Sequence, residues 1–159
     1  MTTNVPDFRI TGPLLDQSPA CAPILRALPD WFGVEQSTQN YIMEIDRLET
    51  FLAFDQTGRT LGFLSLKTHT PYAAEIYVMG VLPEAHGGGI GRALVEASIA
   101  HLRTQGIEYL QVKTLGPSHP DSGYVATRAF YLALGFRPLE EFKQIWDEYN
   151  PCLILVQRL

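Results

Sequence analysis

From Ala74 to Val81 the chain is almost continuously apolar, and Glu75 is the one charge in the run. A strand covered on both faces reads this way, so this segment is expected at the centre of a sheet. Upstream, Phe8 and Ile10 alternate with polar neighbours and predict a strand over Phe8 to Leu14. Ser18 followed by Pro19 starts a helix. That helix turns Ile24, Leu25 and Leu28 inward and stops near Pro29. Gln36 to Leu48 is mixed and reads as a second helix. Phe51 to Phe54 and Thr60 to Leu66 flank Asp55-Gln56-Thr57-Gly58 and form a hairpin. Downstream, Ile90 to Gln105 shows a broad helical stripe from Ile90, Leu94, Ala97, Val95, Ile99 and Leu102, with Gly106 as its C-terminal cap. Ile107 to Leu115 is rich in strand formers, and Gly116 to Gly123 is a loop by composition. Tyr124 to Leu134 is a helix capped by Gly135, and Phe136 opens another strand. Asn150-Pro151 breaks the chain before a last strand, Leu153 to Val156. Strands outnumber helices and alternate with them in the second half, which is an α/β layout with a mixed sheet.

Composition narrows the partners. At 159 residues the chain is expected to form a single domain over 1–159, large enough for one core. The net charge is −5 and the basic residues are scattered, which argues against nucleic acid and suits an amine-bearing partner. The first residues lack the basic start and apolar run of a signal peptide. No apolar stretch approaches the length of a transmembrane helix, so no membrane partner is expected. Cys21 and Cys152 form no CxxC, and two free thiols in a reducing, cytoplasmic setting are the expectation. His69, His86, His101 and His119 show no metal-ligand spacing, and no metal site is indicated.

The central strand runs directly into Val81-Leu82-Pro83-Glu84-Ala85-His86-Gly87-Gly88-Gly89-Ile90-Gly91-Arg92. Glycines allow positive φ and let a ligand approach the backbone. The helix that follows offers unpaired amides and a positive dipole end, a combination that cradles phosphate. A Mg-nucleotide loop would need Lys and Ser or Thr after the last glycine, but Arg92-Ala93 follows Gly91. The dinucleotide spacing G-x-G-x-x-G fails from Gly87, where Arg92 ends it, and from Gly89, where Leu94 does.

Val-x-Pro-x-x-(Gln/Arg)-x-x-Gly-x-Gly resembles the coenzyme A pyrophosphate loop of the GNAT acetyltransferase superfamily. Val81, Pro83, Gly89 and Gly91 match, and His86 stands where Gln or Arg is usual. A second segment, Thr127 to Phe136, resembles that family's helix with Phe-Tyr ending at Gly-Phe. The resemblance covers roughly residues 51–159. It implies a central mixed, mostly antiparallel sheet flanked by helices, whose fourth and fifth strands splay to hold acetyl-CoA. It places Met79, Val81, His86, Gly87, Gly88, Gly89, Gly91 and Arg92 against the cofactor, with Val81 offering its backbone amide. Tyr124 falls where many relatives carry an asparagine that touches the cofactor.

Tyr131 matches the position of a general acid that protonates the leaving thiolate. A phenol titrates near 10 and a thiol near 8.5, so the phenol keeps a proton to give. Glu75, six residues before Val81, matches the spacing of a general base in histone-type members. An amine attacks only when unprotonated, so a base is required. A solvated or structurally bonded carboxylate is the alternative for Glu75, and ordered water the alternative base. Arg128 reaches a phosphate, or is an exposed helix arginine. His119 borders the acceptor site or is an exposed loop histidine, and Trp31 and Phe32 are core or hydrophobic cover, or aromatics facing the acceptor. Trp146-Asp147-Glu148-Tyr149, with Glu140, Glu141 and Glu35, offers acidic groups to a cationic amine, or forms a solvated cluster.

The resemblance implies an N-acetyltransferase that moves acetyl from acetyl-CoA to a small-molecule or peptide amine in a ternary complex. Transfer to oxygen, other acyl transfer and a non-catalytic acyl-CoA sensor stay open. Dimers are common in that family, and the chain carries no interface signature.

Overall fold

The computed structural model describes residues 7–121 and 123–159. Seven strands and four helices follow in the order β1 (Phe8–Leu14), α1 (Ser18–Arg26), α2 (Glu35–Ile45), β2 (Glu49–Asp55), β3 (Thr60–Thr68) and β4 (Ala73–Val81). After a short 3₁₀ turn at Pro83–Ala85 come α3 (Ile90–Thr104), β5 (Tyr109–Leu115), α4 (Gly123–Ala133), β6 (Arg137–Asp147) and β7 (Asn150–Arg158). The strands form one sheet ordered β1-β2-β3-β4-β5-β7-β6. Every neighbouring pair is antiparallel except β4 and β5, which run parallel. This is the mixed, mostly antiparallel sheet expected.

The central feature is where that parallel pair stops. β4 and β5 are in register from Ala73 opposite Tyr109 to Ile76 opposite Val112. Beyond that, β4 stays on β3 as far as Val81 opposite Gly62, and β5 stays on β7 as far as Leu115 opposite Cys152. The two halves of the sheet therefore part after Ile76 and Val112. One extra residue on β4, Tyr77, lies between the pairs Leu66–Ile76 and Ser65–Val78. A bulge of this kind sharpens local twist, and it sits where the strands diverge.

The core explains the helices. α3 buries Ile90, Leu94, Val95, Ser98 and Leu102. Ala97 and Ile99 are half-buried, so the polar Ser98 takes a place in the stripe that the apolar pattern assigned to them. Its hydroxyl donates to the Leu94 carbonyl at 2.8 Å, which satisfies it inside the helix. Pro23 lies inside α1, which ends at Arg26, earlier than Pro29 suggested. Asp46 anchors the start of α1, accepting from the Ser18 amide and hydroxyl at 2.9 Å each.

Asn150-Pro151 does not break the last strand. β7 begins at Asn150, and Pro151 falls in a register shift against β6, where a missing N–H is tolerated. Its carbonyl accepts from the Gly116 amide at 2.8 Å. No helix of the described residues is long and apolar enough to cross a membrane.

Candidate active site

The parting of β4 and β5 opens a cleft of about 1130 Å³. Its walls come from Ile76 to Val81 on β4, Val112 to Leu115 on β5, the glycine loop, the face of α4, the segment Leu28 to Val34, and Trp146, Asp147 and Asn150. Of the residues proposed from sequence, Met79, Val81, His86, Gly87, Gly89, Gly91, Arg92, Tyr124 and Tyr131 all line it. Gly88 and Glu75 are not among its lining residues.

The end nearest α3 is made of backbone. Gly87 and Gly89 have φ of 77° and 83°, a conformation that L side chains rarely adopt, and a Cβ at either would meet nothing within 4 Å. Gly89 is the N-cap of α3 and supplies no side chain to cap it. The amides of Ile90, Gly91 and Arg92 have no intrahelical acceptor, and the positive helix end lies beneath them. The result is an open, amide-lined concavity suited to phosphate oxygens. Gly91 has a second reason to be glycine: a Cβ there would come within 3.1 Å of the Phe130 ring of α4.

The Val81 amide also faces the gap. The next amide, Leu82, donates to the Leu61 carbonyl of β3 at 2.8 Å. Successive amides of an extended strand point to opposite edges, so Val81 N–H and C=O face away from β3. His86 Nε2 lies 2.7 Å from that carbonyl. A carbonyl can only accept, so the imidazole is protonated at Nε2 and ties the loop to the end of β4. His86 thus makes a bond within the protein where the family residue was expected to reach the ligand. Its ring also meets Trp31 edge-on, with centroids 6.2 Å apart, and the Trp31 indole N–H donates to Thr127 Oγ1 of α4 at 3.2 Å.

Tyr131 is buried among Phe130 and Phe136, with ring centroids at 5.1 and 5.6 Å. Burial pushes its phenol above the ordinary value near 10, so it stays protonated at neutral pH. Tyr124, half-buried, is raised by burial and then by Asp121 and Tyr41. The hydroxyl of Thr114 is buried on β5 with no hydrogen-bond partner among the described residues. Such an orphan on a cleft wall fits a ligand that brings a polar group. Sequence reasoning missed it, because one threonine in a strand carries no signal.

Glu75 lies opposite Gln111 in the zipped segment and is 4% exposed. Its Oε1 is 2.6 Å from His69 Nε2 and 3.5 Å from Lys113 Nζ. Lys113 lines the cleft, and Glu75 does not. Arg128 is half-buried, and its guanidinium donates to the Leu115 carbonyl at 2.8 Å. Among the acidic groups named from sequence, Asp147 lines the cleft beside Trp146 and Asn150. Glu35 pairs with Arg26, Glu141 accepts from Ser118, and neither lines the cleft. Asp30 and Asp121, not singled out before, also line the cleft, as does His119. Burial raises the Cys152 thiol to about 11, which leaves it protonated and a poor nucleophile.

Residues 46–138 match the family model described as an acetyltransferase (GNAT) domain. Mycothiol acetyltransferases from Saccharomonospora viridis and Salinispora tropica are 37% and 42% identical, over 57% and 54% of this chain. The chain spans 30% and 27% of the length of those two relatives. The ribosomal-protein-S18-alanine N-acetyltransferase of Escherichia coli shares the fold, with a TM-score of 0.75 at 19% identity, covering 96% of this chain and 94% of that one. A GNAT family acetyltransferase from Elizabethkingia anophelis, solved with acetyl-CoA bound, gives 0.73 at 18% identity and covers 96% and 98%.

Proposed function

The chain belongs to the GNAT acetyltransferase family, and we propose that it transfers the acetyl group of acetyl-CoA to a primary amine held in the same cleft. The observation that carries this reading is the joint placement of an open amide cradle and a buried, protonated Tyr131 along one gap between β4 and β5.

Acetyl-CoA would supply an acetyl group activated as a thioester, and the chain's residues would do the rest. Gly87, Gly88, Gly89, Ile90, Gly91 and Arg92 offer backbone amides to the pyrophosphate. Met79 and Val81 line the path of the amide-bearing arm, and the Thr114 hydroxyl offers it a partner. The Val81 amide is aimed at the carbonyl oxygen, where negative charge develops during attack. Tyr131 gives its proton to the departing sulfur. Glu75 takes the proton lost by the amine, directly or through water. Holding both reactants in one cleft supplies the orientation that makes attack fast.

The acceptor is an amine; its further identity lies with Asp30, Asp121, Asp147, Trp31 and Trp146, which line the cleft. These residues favour a cationic acceptor, whose charge they would match.

The test is release of free thiol from acetyl-CoA with spermidine, glucosamine and an alanyl peptide as acceptors. Amine-dependent release is expected. Tyr131→Phe should lower kcat by about 100-fold or more while leaving acetyl-CoA affinity nearly unchanged. Unchanged turnover in Tyr131→Phe would remove the general-acid role.

A further inference from the structure

Lys67, Lys113 and Lys143 are the lysines of the chain, and all of them are among the described residues. Lys143 is exposed on β6, the outer strand of the sheet. Lys67 sits on β3, where its Nζ lies 5.1 Å over the Tyr77 ring. Of these described lysines only Lys113 lines the cleft. It is the first residue of β5 beyond Val112, which is the last to pair with β4. Lys113 therefore stands at the vertex where the two strands part, in the cleft that Tyr131 also lines. Val112 and Thr114 on either side are buried, and the Lys113 side chain, 30% exposed, leaves the sheet on the other face. A primary amine, the functional group read above as the acceptor, is thus built into the wall of the cleft.

Little ties that amine down. Lys113 Nζ is 3.5 Å from Glu75 Oε1, at the outer limit of a hydrogen bond, and the same oxygen lies 2.6 Å from His69 Nε2. With His69 as the closer partner, Glu75 is not left buried and unpaired when the lysine charge is lost. The lysine stem is flexible and carries its amine on four carbons, so Nζ can move along the gap toward a bound thioester.

We infer that Lys113 is a self-acetylation site: while acetyl-CoA is bound and no acceptor is present, the Lys113 Nζ takes the acetyl group. This rests on the acetyl-transfer reading above. The step balances with no further reactant. The ammonium first loses a proton to water, because an amine attacks only as the free base. Its lone pair forms the amide N–C bond as the C–S bond breaks. Tyr131 protonates the departing sulfur, and the second proton shed by the nitrogen restores the phenol through water. The products are N-acetyllysine and coenzyme A. The acetylated side chain is neutral and bulkier, so it changes the charge of the wall and takes up room that an acceptor would use. Free amine and Lys113 should therefore compete for the same acetyl group.

The test is incubation of the purified chain with acetyl-CoA whose acetyl group is deuterated, without amine, followed by peptide mass spectrometry. Label on Lys113 should exceed that on Lys67 and Lys143 by about tenfold or more, the advantage of an amine held beside the thioester. Its appearance should be first-order, with a rate constant independent of protein concentration. It should be slower in Tyr131→Phe and suppressed by the amine of the panel that is acetylated fastest. In Lys113→Arg the total label should fall to the level carried by Lys67 and Lys143. Equal labelling of all the lysines, or a rate constant that rises with protein concentration, would overturn the proposal. So would an unlabelled Lys113 in a chain that still acetylates the amines of the panel, a result that leaves the acetyl-transfer reading intact. A chain that labels nothing and releases no thiol with any amine loses both.

Discussion

The two ends of β4 do opposite things with the same nine residues. At the Ala73 end the strand is zipped to β5, and a carboxylate is buried there against His69 and Lys113. At the Val81 end β5 is no longer paired with it, and the strand presents its own amide to a cleft that continues into the glycine loop. The open end offers backbone groups, the closed end side chains gathered from separate elements. Backbone recognition demands glycine and an unpaired helix start, which can be read along the chain. Side-chain constellations are assembled by the sheet, and no local spacing announces them.

Substitutions at the two ends should separate these roles. The largest effect is expected at the closed end, where Leu110 is fully buried on β5 opposite Ala74. Leu110→Ala should lower the unfolding free energy by about 3 kcal/mol, measured by urea denaturation, with the acetyl-CoA affinity of the folded fraction preserved. A loss under about 1 kcal/mol would mean the zipped segment is not the strand pair that holds the halves together.

Met79 offers the converse case. It is half-buried, on the open stretch of β4 and in the cleft wall. Met79→Ala should cost less stability than the Leu110 change and raise the acetyl-CoA Kd by roughly tenfold, the weight of a small apolar contact. Equal effects on stability from both substitutions would erase the distinction between the ends.

The smallest effect concerns pH. The folded-state pKa of Tyr131 is raised, so the folded chain binds this proton more tightly than the unfolded chain. Its contribution to stability is complete below the unfolded value near 10 and is lost as pH rises above it. From pH 7 to about 9 neither stability nor kcat should fall on account of this phenol. A decline in kcat within that window that disappears in Tyr131→Phe would show the phenol ionising early.

Much of the fold was legible because its signals are local. The apolar run before Val81, the hairpin around Asp55 to Gly58 and the glycine loop each combine a pattern with a turn that requires it. The Phe-Tyr helix and its glycine cap were read on the same terms. What escaped depends on contacts between distant segments. Pro151 looked like a break, yet a register shift against β6 absorbs it. Ser98 was not in the apolar stripe read along α3, yet its hydroxyl bonds within the helix and it is buried. His86 lines the cleft, and the bond of its imidazole to the Val81 carbonyl carried no signal in the chain. Glu75 could be placed by spacing alone; His69 and Lys113 became its partners only through the β3–β4 turn and the parallel β5.

The most direct test of the account is calorimetric titration of the purified chain with acetyl-CoA, beside NADH and ATP, in wild type and in Gly89→Glu. That substitution puts a charged side chain at a φ of 83° and into the cradle. The account predicts saturable acetyl-CoA binding in the micromolar range, no comparable binding of the other two ligands, and loss of at least 100-fold in affinity in the variant. Equal binding of acetyl-CoA by Gly89→Glu, or a preference for NADH or ATP, would contradict it.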